Sequence, residues 1–193
     1  EAVRRTLLWA QRCKREYLRL LAQRRDDANR PRIWGVIQGG GLFELRRACA
    51  EALLEIGFDG YGLGGWPLDA QGNLLAEIIA YVRELVPRGF PVHALGVGHP
   101  RSVVACARMG YELFDSAMPT RDARHGRLLV FEGGADAPLD ESGDWFSYLY
   151  VQDERHVKDG RPVSELCDCL GCRRYSRAYL HQLFKTGDGL YTR

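Results

Sequence analysis

Apolar positions along residues 2–114 follow two alternating spacings. Helical spacing predicts four helices, over 2–25, 42–56, 74–85 and 100–109. Short β-branched or aromatic runs that end in glycine or turn residues predict four strands, over 33–37, 58–63, 91–95 and 111–114. Strand and helix alternate every 20 to 35 residues, which is typical of parallel βα units. Because no pattern typical of a sheet edge interrupts them, we expect these units to be part of a larger (β/α) array.

The pattern changes after residue 127. Residues 128–132 and 146–151 predict antiparallel strands, and a short helix is expected over 176–184. We therefore predict two domains. The first, 1–127, is a partial (β/α) barrel, and the second, 128–193, is a smaller appended module.

Composition narrows the class of protein. The chain has 193 residues, of which 46% are hydrophobic and 27% charged, as in soluble globular proteins. It contains no run of 18 apolar residues, so no membrane span is expected. The formal charge is only +2, but residues 1–32 carry ten Lys and Arg against four acidic residues. Such a basic helix is either a solvated face or a surface for a polyanion, and both remain open.

The six cysteines do not form a disulfide pattern. Cys13, Cys49 and Cys106 fall on the apolar phase of predicted helices, which favours a packing role. Cys167, Cys169 and Cys172 lie within six residues and could occupy three corners of a tetrahedral zinc site. His181 is a possible fourth ligand by spacing, but the spacing is not compelling. This usage favours a reducing, cytoplasmic setting. His93, His99 and His156 are expected to be ordinary strand and turn residues.

Polar or glycine residues stand at the end of every predicted strand of the first domain: Gln38, Gly64 and Gly65, Gly96, and Asp115. In a (β/α)8 barrel this rim carries the active site. Asp115 could act as a nucleophile, a general base or a metal ligand. The glycines of residues 60–65 fit the G-x-G-x-x-G spacing but lie partly inside a strand, so we expect close approach to a flat ligand instead of dinucleotide binding.

Four potential cations follow Asp115 within residues 121–127, namely Arg121, Arg124, His125 and Arg127. They could hold phosphates or form surface salt bridges.

Six segments carry a resemblance to a known family. They are 35–40 (GVIQGG), 58–65 (FDGYGLGG), 95–98 (LGVG), 114–126 (FDSAMPTRDARHG), 167–172 (CDCLGC) and 175–181 (YSRAYLH). These segments occur in the same order, and over nearly the whole chain, as in the tRNA-guanine transglycosylases, or queuine tRNA-ribosyltransferases, which the sequence therefore resembles. The resemblance implies a (β/α)8 TIM-barrel fold, here about its second half, with a small zinc-binding subdomain.

The resemblance also implies an enzyme that exchanges guanine in tRNA for a 7-deazaguanine base in queuosine biosynthesis. Asp115 matches the nucleophile that forms a covalent ribosyl-enzyme. The residues that match the base pocket are Gln38, Gly64, Gly65, Trp66, Leu95 and Gly96. Arg121 and Arg124 match residues that hold the RNA backbone, and the three clustered cysteines match ligands of a structural Zn²⁺. By family analogy we expect a cytoplasmic homodimer.

Departures from the family pattern leave alternatives open. Residues 66–69 (WPLD) replace the family's small aliphatic run, so the accepted base and even a DNA polymer are open. A non-catalytic RNA-binding partner subunit and a glycosidase-like barrel are further alternatives. The family's second essential aspartate is expected before Glu1 and its zinc-binding histidine after Arg193. A half barrel with two open parallel edges is not expected to be a stable monomer on its own.

Overall fold

The computed structural model describes residues 1–24, 29–133, 138–140 and 144–191. The chain divides into two compact units, Glu1–Val97 with Ala105–Asp115, and Gly98–Val104 with Ser116–Arg193. The main elements, in chain order, are α1 (Ala2–Leu21), β1 (Trp34–Ile37), α2 (Phe43–Ile56), β2 (Gly60–Leu63), α3 (Ala76–Leu85), β3 (Val92–Ala94), α4 (Pro100–Met109), β4 (Leu113–Phe114), α5 (Met118–Arg124), β5 (Arg127–Phe131), β6 (Phe146–Tyr150), α6 (Leu170–Arg174) and α7 (Arg177–Thr186). None of the helices in these ranges is long and apolar enough to cross a membrane.

The first unit contains a parallel four-stranded sheet in the order β1-β2-β3-β4, which confirms the predicted parallel βα pattern. In the ladder Trp34 pairs with Gly60, Gly62 with His93, and Ala94 with Phe114. Since all four strands run the same way, their carboxyl ends lie along one edge of the sheet. The residues that follow the strands are thereby collected there.

The core of this unit lies between one face of the sheet and the helices. The most buried strand side chains alternate along the sequence, as expected for one face of a pleated sheet. They are Ile37, Tyr61, Leu63, Val92 and Ala94. The helices contribute buried residues that include Leu53, Cys49, Ile79, Val82 and Cys106. The packing role predicted for Cys49 and Cys106 is therefore confirmed.

Helix α1 differs from this picture. It follows the predicted apolar spacing, yet none of its residues is buried, and Leu8, Trp9, Leu18 and Leu20 are each about half exposed or more. Cys13 is also exposed, so the packing role predicted for it is wrong. Periodicity identifies which side of a helix is apolar, but it does not show whether a neighbour covers that side.

Several predicted elements are shorter in the structure. Helix α1 ends at Leu21, although the apolar spacing extends to residue 25, which lies outside the described residues. The strand expected over 111–114 is reduced to Leu113–Phe114. The reason is that Tyr111 closes α4 through its N–H on the Cys106 carbonyl and directs its hydroxyl to the Ile79 carbonyl, 2.8 Å away.

The second unit contains the predicted antiparallel pair, β5 with β6, in which Leu129 lies opposite Tyr148. Its core is formed by Val130, Leu149 and Val151, with partly buried residues of α7 against them. Helix α5 was not predicted. It begins just before Pro119, and its buried Asp122 forms a 2.6 Å ion pair with Arg127 at the start of β5. The domain boundary at 127/128 stays a prediction.

An ion pair ties the segment before β1 to the start of β2. The Arg30 guanidinium donates two hydrogen bonds to Asp59, of 2.6 and 3.0 Å, and a third to the Tyr17 hydroxyl. Asp59 also accepts the Ile33 N–H at 2.9 Å. The Arg30 guanidinium is the main reason why the pKa of Asp59 falls to about 2, from an ordinary value of 3.8.

We expect Asp59→Asn to lower the free energy of unfolding by about 1 kcal/mol at pH 7, a value discounted because Arg30 is partly exposed to solvent. Because the pKa of Asp59 is lower in the folded chain, this stabilisation is complete above pH 4 and is lost as the pH falls through 2. Urea unfolding of the wild-type protein and of Asp59→Asn between pH 7 and pH 2 measures the difference in their free energies of unfolding. A difference that does not change with pH would contradict the assignment.

Candidate active site

Asp115 lies directly after β4, at the carboxyl edge of the sheet, as predicted. Its side chain is 59% exposed, so a ligand can reach it from solvent. One of its oxygens, Oδ1, accepts the N–H of Gly96 at 3.2 Å. The structure thus brings together two residues of the predicted site that are 19 positions apart in sequence.

Gly96 can present this amide because of its backbone conformation. Its φ of +77° lies in the left-handed region, which side-chain-bearing residues rarely adopt. The turn is closed behind it by a 3.3 Å hydrogen bond from the Val97 N–H to the Ala94 carbonyl. A tight turn at the end of β3 therefore directs a backbone donor at Asp115.

Gln38 and Gly64 form a second cluster at the ends of β1 and β2. The Gly64 N–H donates to the Ile37 carbonyl at 2.9 Å, and the Gln38 amide lies directly against the Gly64 backbone. A Cβ atom at residue 64 would come within 2.5 Å of the Gln38 Nε2 atom. Only glycine leaves room for this amide. The close approach of a flat ligand that the sequence suggests stays a prediction.

The remaining predicted pocket residues differ in exposure. Gly65 and Trp66 follow β2 and are both exposed, the Trp66 side chain to 71%. Leu95 follows β3 and is half-buried. All these positions lie at the same edge of the one parallel sheet.

Arg46 of α2 is a site residue that sequence reasoning missed. It is 3% exposed, and its guanidinium donates to the carbonyls of Ile37, Gly40 and Gly64 at 2.6, 2.9 and 2.8 Å. The structure shows no carboxylate partner for it within the described residues, and burial lowers the pKa of Arg46. A charged residue within an otherwise apolar helical face was the available signal.

His93 is the second residue that sequence reasoning missed. It was expected to be an ordinary strand residue, but its Nε2 atom lies 2.9 Å from Oδ1 of Asp115. The signal is in the ladder, where His93 pairs with Leu113. Asp115 is two residues beyond Leu113 and so shares its face of the sheet.

The predicted RNA-binding arginines lie in the second unit. Arg121 and Arg124 are both exposed on α5, and Arg121 is 3.7 Å from Asp122. His125 follows them and is exposed as well. Arg127 differs, since its guanidinium is bound to Asp122. The positive side chains still exposed to a polyanion are therefore Arg121, Arg124 and His125 when it is protonated.

The three clustered cysteines come together in the second unit as predicted. The sulfur atoms of Cys167, Cys169 and Cys172 all lie within 4.8 Å of one another. The Cys172 N–H is the main cause of a lowered pKa at Cys169, whereas burial raises the pKa of Cys172 to about 11. His181 is not part of this group. It is buried, and its Nδ1 atom is 2.7 Å from the Val151 carbonyl.

Comparison with known proteins shows the family of the chain. The sequence model of the queuine tRNA-ribosyltransferase family matches residues 1–193. The queuine tRNA-ribosyltransferase of Syntrophobacter fumaroxidans is 35% identical over 184 residues, which cover 95% of this chain and 43% of that protein. Its namesake in Aromatoleum aromaticum is 36% identical over 183 residues, covering 95% and 44%.

A parallel sheet whose strands alternate with helices defines an α/β protein. Within this class the chain belongs to the queuine tRNA-ribosyltransferase family. It spans less than half the length of the relatives compared here.

We expect Arg46→Met to destabilise the protein by about 2 kcal/mol or more, because the buried carbonyls of Ile37 and Gly64 each lose a charged donor, as does the more exposed carbonyl of Gly40. The adjacent Arg47 is the matched control. Arg47 is exposed and contacts the hydroxyl and the ring of Tyr81 at the surface, so Arg47→Met should destabilise the protein much less than Arg46→Met. Urea unfolding of the two variants tests this. Equal losses would show that the buried contacts do not determine stability.

Proposed function

We propose that the protein is a tRNA-guanine transglycosylase, which replaces a guanine of tRNA by a 7-deazaguanine base such as queuine, in queuosine biosynthesis. The observation that carries the proposal is the exposed carboxylate of Asp115, held through one oxygen at the carboxyl edge of a parallel sheet, in a chain of this family. We infer tRNA as the substrate and ribosyl transfer as the reaction from the names of the relatives.

The proposed fold of the first unit is part of a (β/α)8 barrel. Four consecutive parallel strands, each with its functional residue at the carboxyl end, are the arrangement that such barrels use for catalysis. The face of the sheet that carries Trp34, His93 and Asp115 is then the inner one.

The proposed reaction has two balanced steps. An oxygen of Asp115 bonds to C1′ of the target guanosine while the C1′–N9 bond breaks, and its electron pair leaves with guanine, which takes up a proton. N9 of the incoming base then loses its proton and bonds to C1′, which releases the Asp115 carboxylate. A carboxylate suits both steps, because it stabilises oxocarbenium character and also leaves readily, as in retaining glycosidases.

The base pocket is proposed to lie at the other end of the same edge. The Gln38 amide, for which Gly64 leaves room, can donate to and accept from a purine, and the exposed Gly65 allows the flat ring to approach the backbone. Leu95 and Gly96 would form the floor, and Trp66 would lie at the rim. A base in a stacked loop must be turned out to reach this site, and Arg121 and Arg124 are proposed to hold the RNA backbone.

We expect Asp115→Asn in the full-length protein to lower the exchange of labelled guanine into tRNA by more than about 1000-fold, because the nucleophile is lost. Asp153→Asn is the matched control, since the Asp153 side chain is 41% exposed and forms its ion pair with Arg155 at the surface. Its activity should be unchanged.

Each other outcome of this assay points to another function. Exchange that survives in Asp115→Asn would overturn the assignment of the nucleophile. A wild-type protein that binds tRNA without exchange would be a partner subunit. Loss of both exchange and tRNA binding would favour DNA as the polymer, an alternative that the exposed Trp66 at the rim leaves open.

A structural zinc ion is proposed for the cysteine cluster. Sulfurs around tetrahedral zinc are about 3.8 Å apart, and the three sulfurs here lie within 4.8 Å of one another without an ion, so the residues fit. When bound, zinc would cross-link the segment around α6 and take no part in the base exchange. A fourth ligand would have to come from a residue other than these three, and among the described residues His181 does not lie with the sulfurs. Its Nδ1–H donates to the Val151 carbonyl.

We expect the full-length protein to contain about one zinc per chain, and Cys169→Ala to lose most of it together with several degrees of thermal stability. Cys13→Ala, which changes an exposed cysteine of α1, should retain both. Metal analysis and thermal unfolding measure the two effects. Full zinc content in Cys169→Ala would contradict the site. The homodimer and the cytoplasmic location stay predictions.

A further inference from the structure

Two groups converge on one oxygen of Asp115. The Gly96 N–H donates to Oδ1 at 3.2 Å, and Nε2 of His93 lies 2.9 Å from the same atom. We propose that His93 is a positioning residue that orients the Asp115 carboxylate so that the other oxygen, Oδ2, makes the attack. This inference rests on the proposed function, because it deepens the role of the same carboxylate.

The surroundings of His93 fit this role. The side chain is 26% exposed, its Nε2 atom is shielded from solvent, and the structure gives that atom no aligned hydrogen bond among the described residues. A buried polar nitrogen without a partner is costly. The Asp115 oxygen is within reach, and a small rotation of this exposed carboxylate would align the contact. One hydrogen bond between them would therefore give the imidazole nitrogen a partner and fix the orientation of the carboxylate.

The His93 ring also packs against a neighbouring aromatic ring. Trp34 of β1 lies edge-on to the imidazole, with ring centroids 6.3 Å apart and an interplanar angle of 81°. Between them in the ladder, the residue paired with His93 is Gly62, which has no side chain to displace the ring. His93 can therefore serve as a fixed reference point for the more exposed Asp115.

Occupying Oδ1 has a direct chemical consequence. A carboxylate that rotates freely offers either oxygen in many directions, and misplacement of a reacting group by about 1 Å can cost roughly 100-fold in rate. Two donors on Oδ1 leave Oδ2 as the oxygen directed at C1′. In the second step they also stabilise the carboxylate as it is released.

The test compares two variants of the full-length protein. His93→Phe keeps an aromatic ring against Trp34 but removes the nitrogen, and His93→Gln keeps a donor near the position of Nε2. We expect His93→Phe to lower kcat for guanine exchange by about 10- to 100-fold with KM for tRNA changed less than about threefold. His93→Gln should stay within about fivefold of wild type.

The outcomes separate this inference from the proposed function. Suppose first that the wild-type protein is active. Full kcat in His93→Phe, or an equal loss of kcat in both variants at unchanged thermal stability, would then overturn the role of His93 but not the proposed function. A rise in KM at constant kcat would also overturn it, because that result indicates substrate binding. Wild-type protein without any exchange would overturn the proposed function and the positioning role together.

Discussion

The rim of the sheet depends on a buried cation without an anion. Arg46 uses its guanidinium to join the carbonyls of Ile37, Gly40 and Gly64, and so fixes the ends of β1 and β2 to helix α2. A carboxylate partner would neutralise the charge but would occupy the space under the glycine turns. Three carbonyl dipoles instead offset the cost of burial.

At the other end of this edge, near β3 and β4, the charged group is an exposed anion instead of a buried cation. There the exposed Asp115 carboxylate accepts a backbone N–H on Oδ1, and the His93 imidazole lies 2.9 Å from the same atom. The two devices suit different tasks. For the proposed function, a pocket for a flat base needs rigid walls, whereas a nucleophile must be reachable from solvent and still point in one direction. The edge therefore combines a fixed side and an accessible side.

Features of the fold and of the site that depend on local sequence patterns could be predicted from the sequence. The parallel order of the strands, the turn at Gly96 and the cysteine cluster all follow from periodicity or close spacing. Arg46 and His93 could not be predicted in the same way, since their roles depend on ladder register and on helix packing. The exposure of Cys13 was missed for a related reason, because a helical apolar phase does not specify its neighbour.

The second unit shows why a metal is a physically reasonable part of this fold. Its fully buried apolar core is small, consisting of Val130, Leu149 and Val151 within the described residues. Helix α6 has five residues and buries none of them, and so short a helix is not stable by itself. Packing thus contributes little where the three cysteines lie. A bound ion would replace the missing core by coordination, which links the zinc proposal to the stability of the unit.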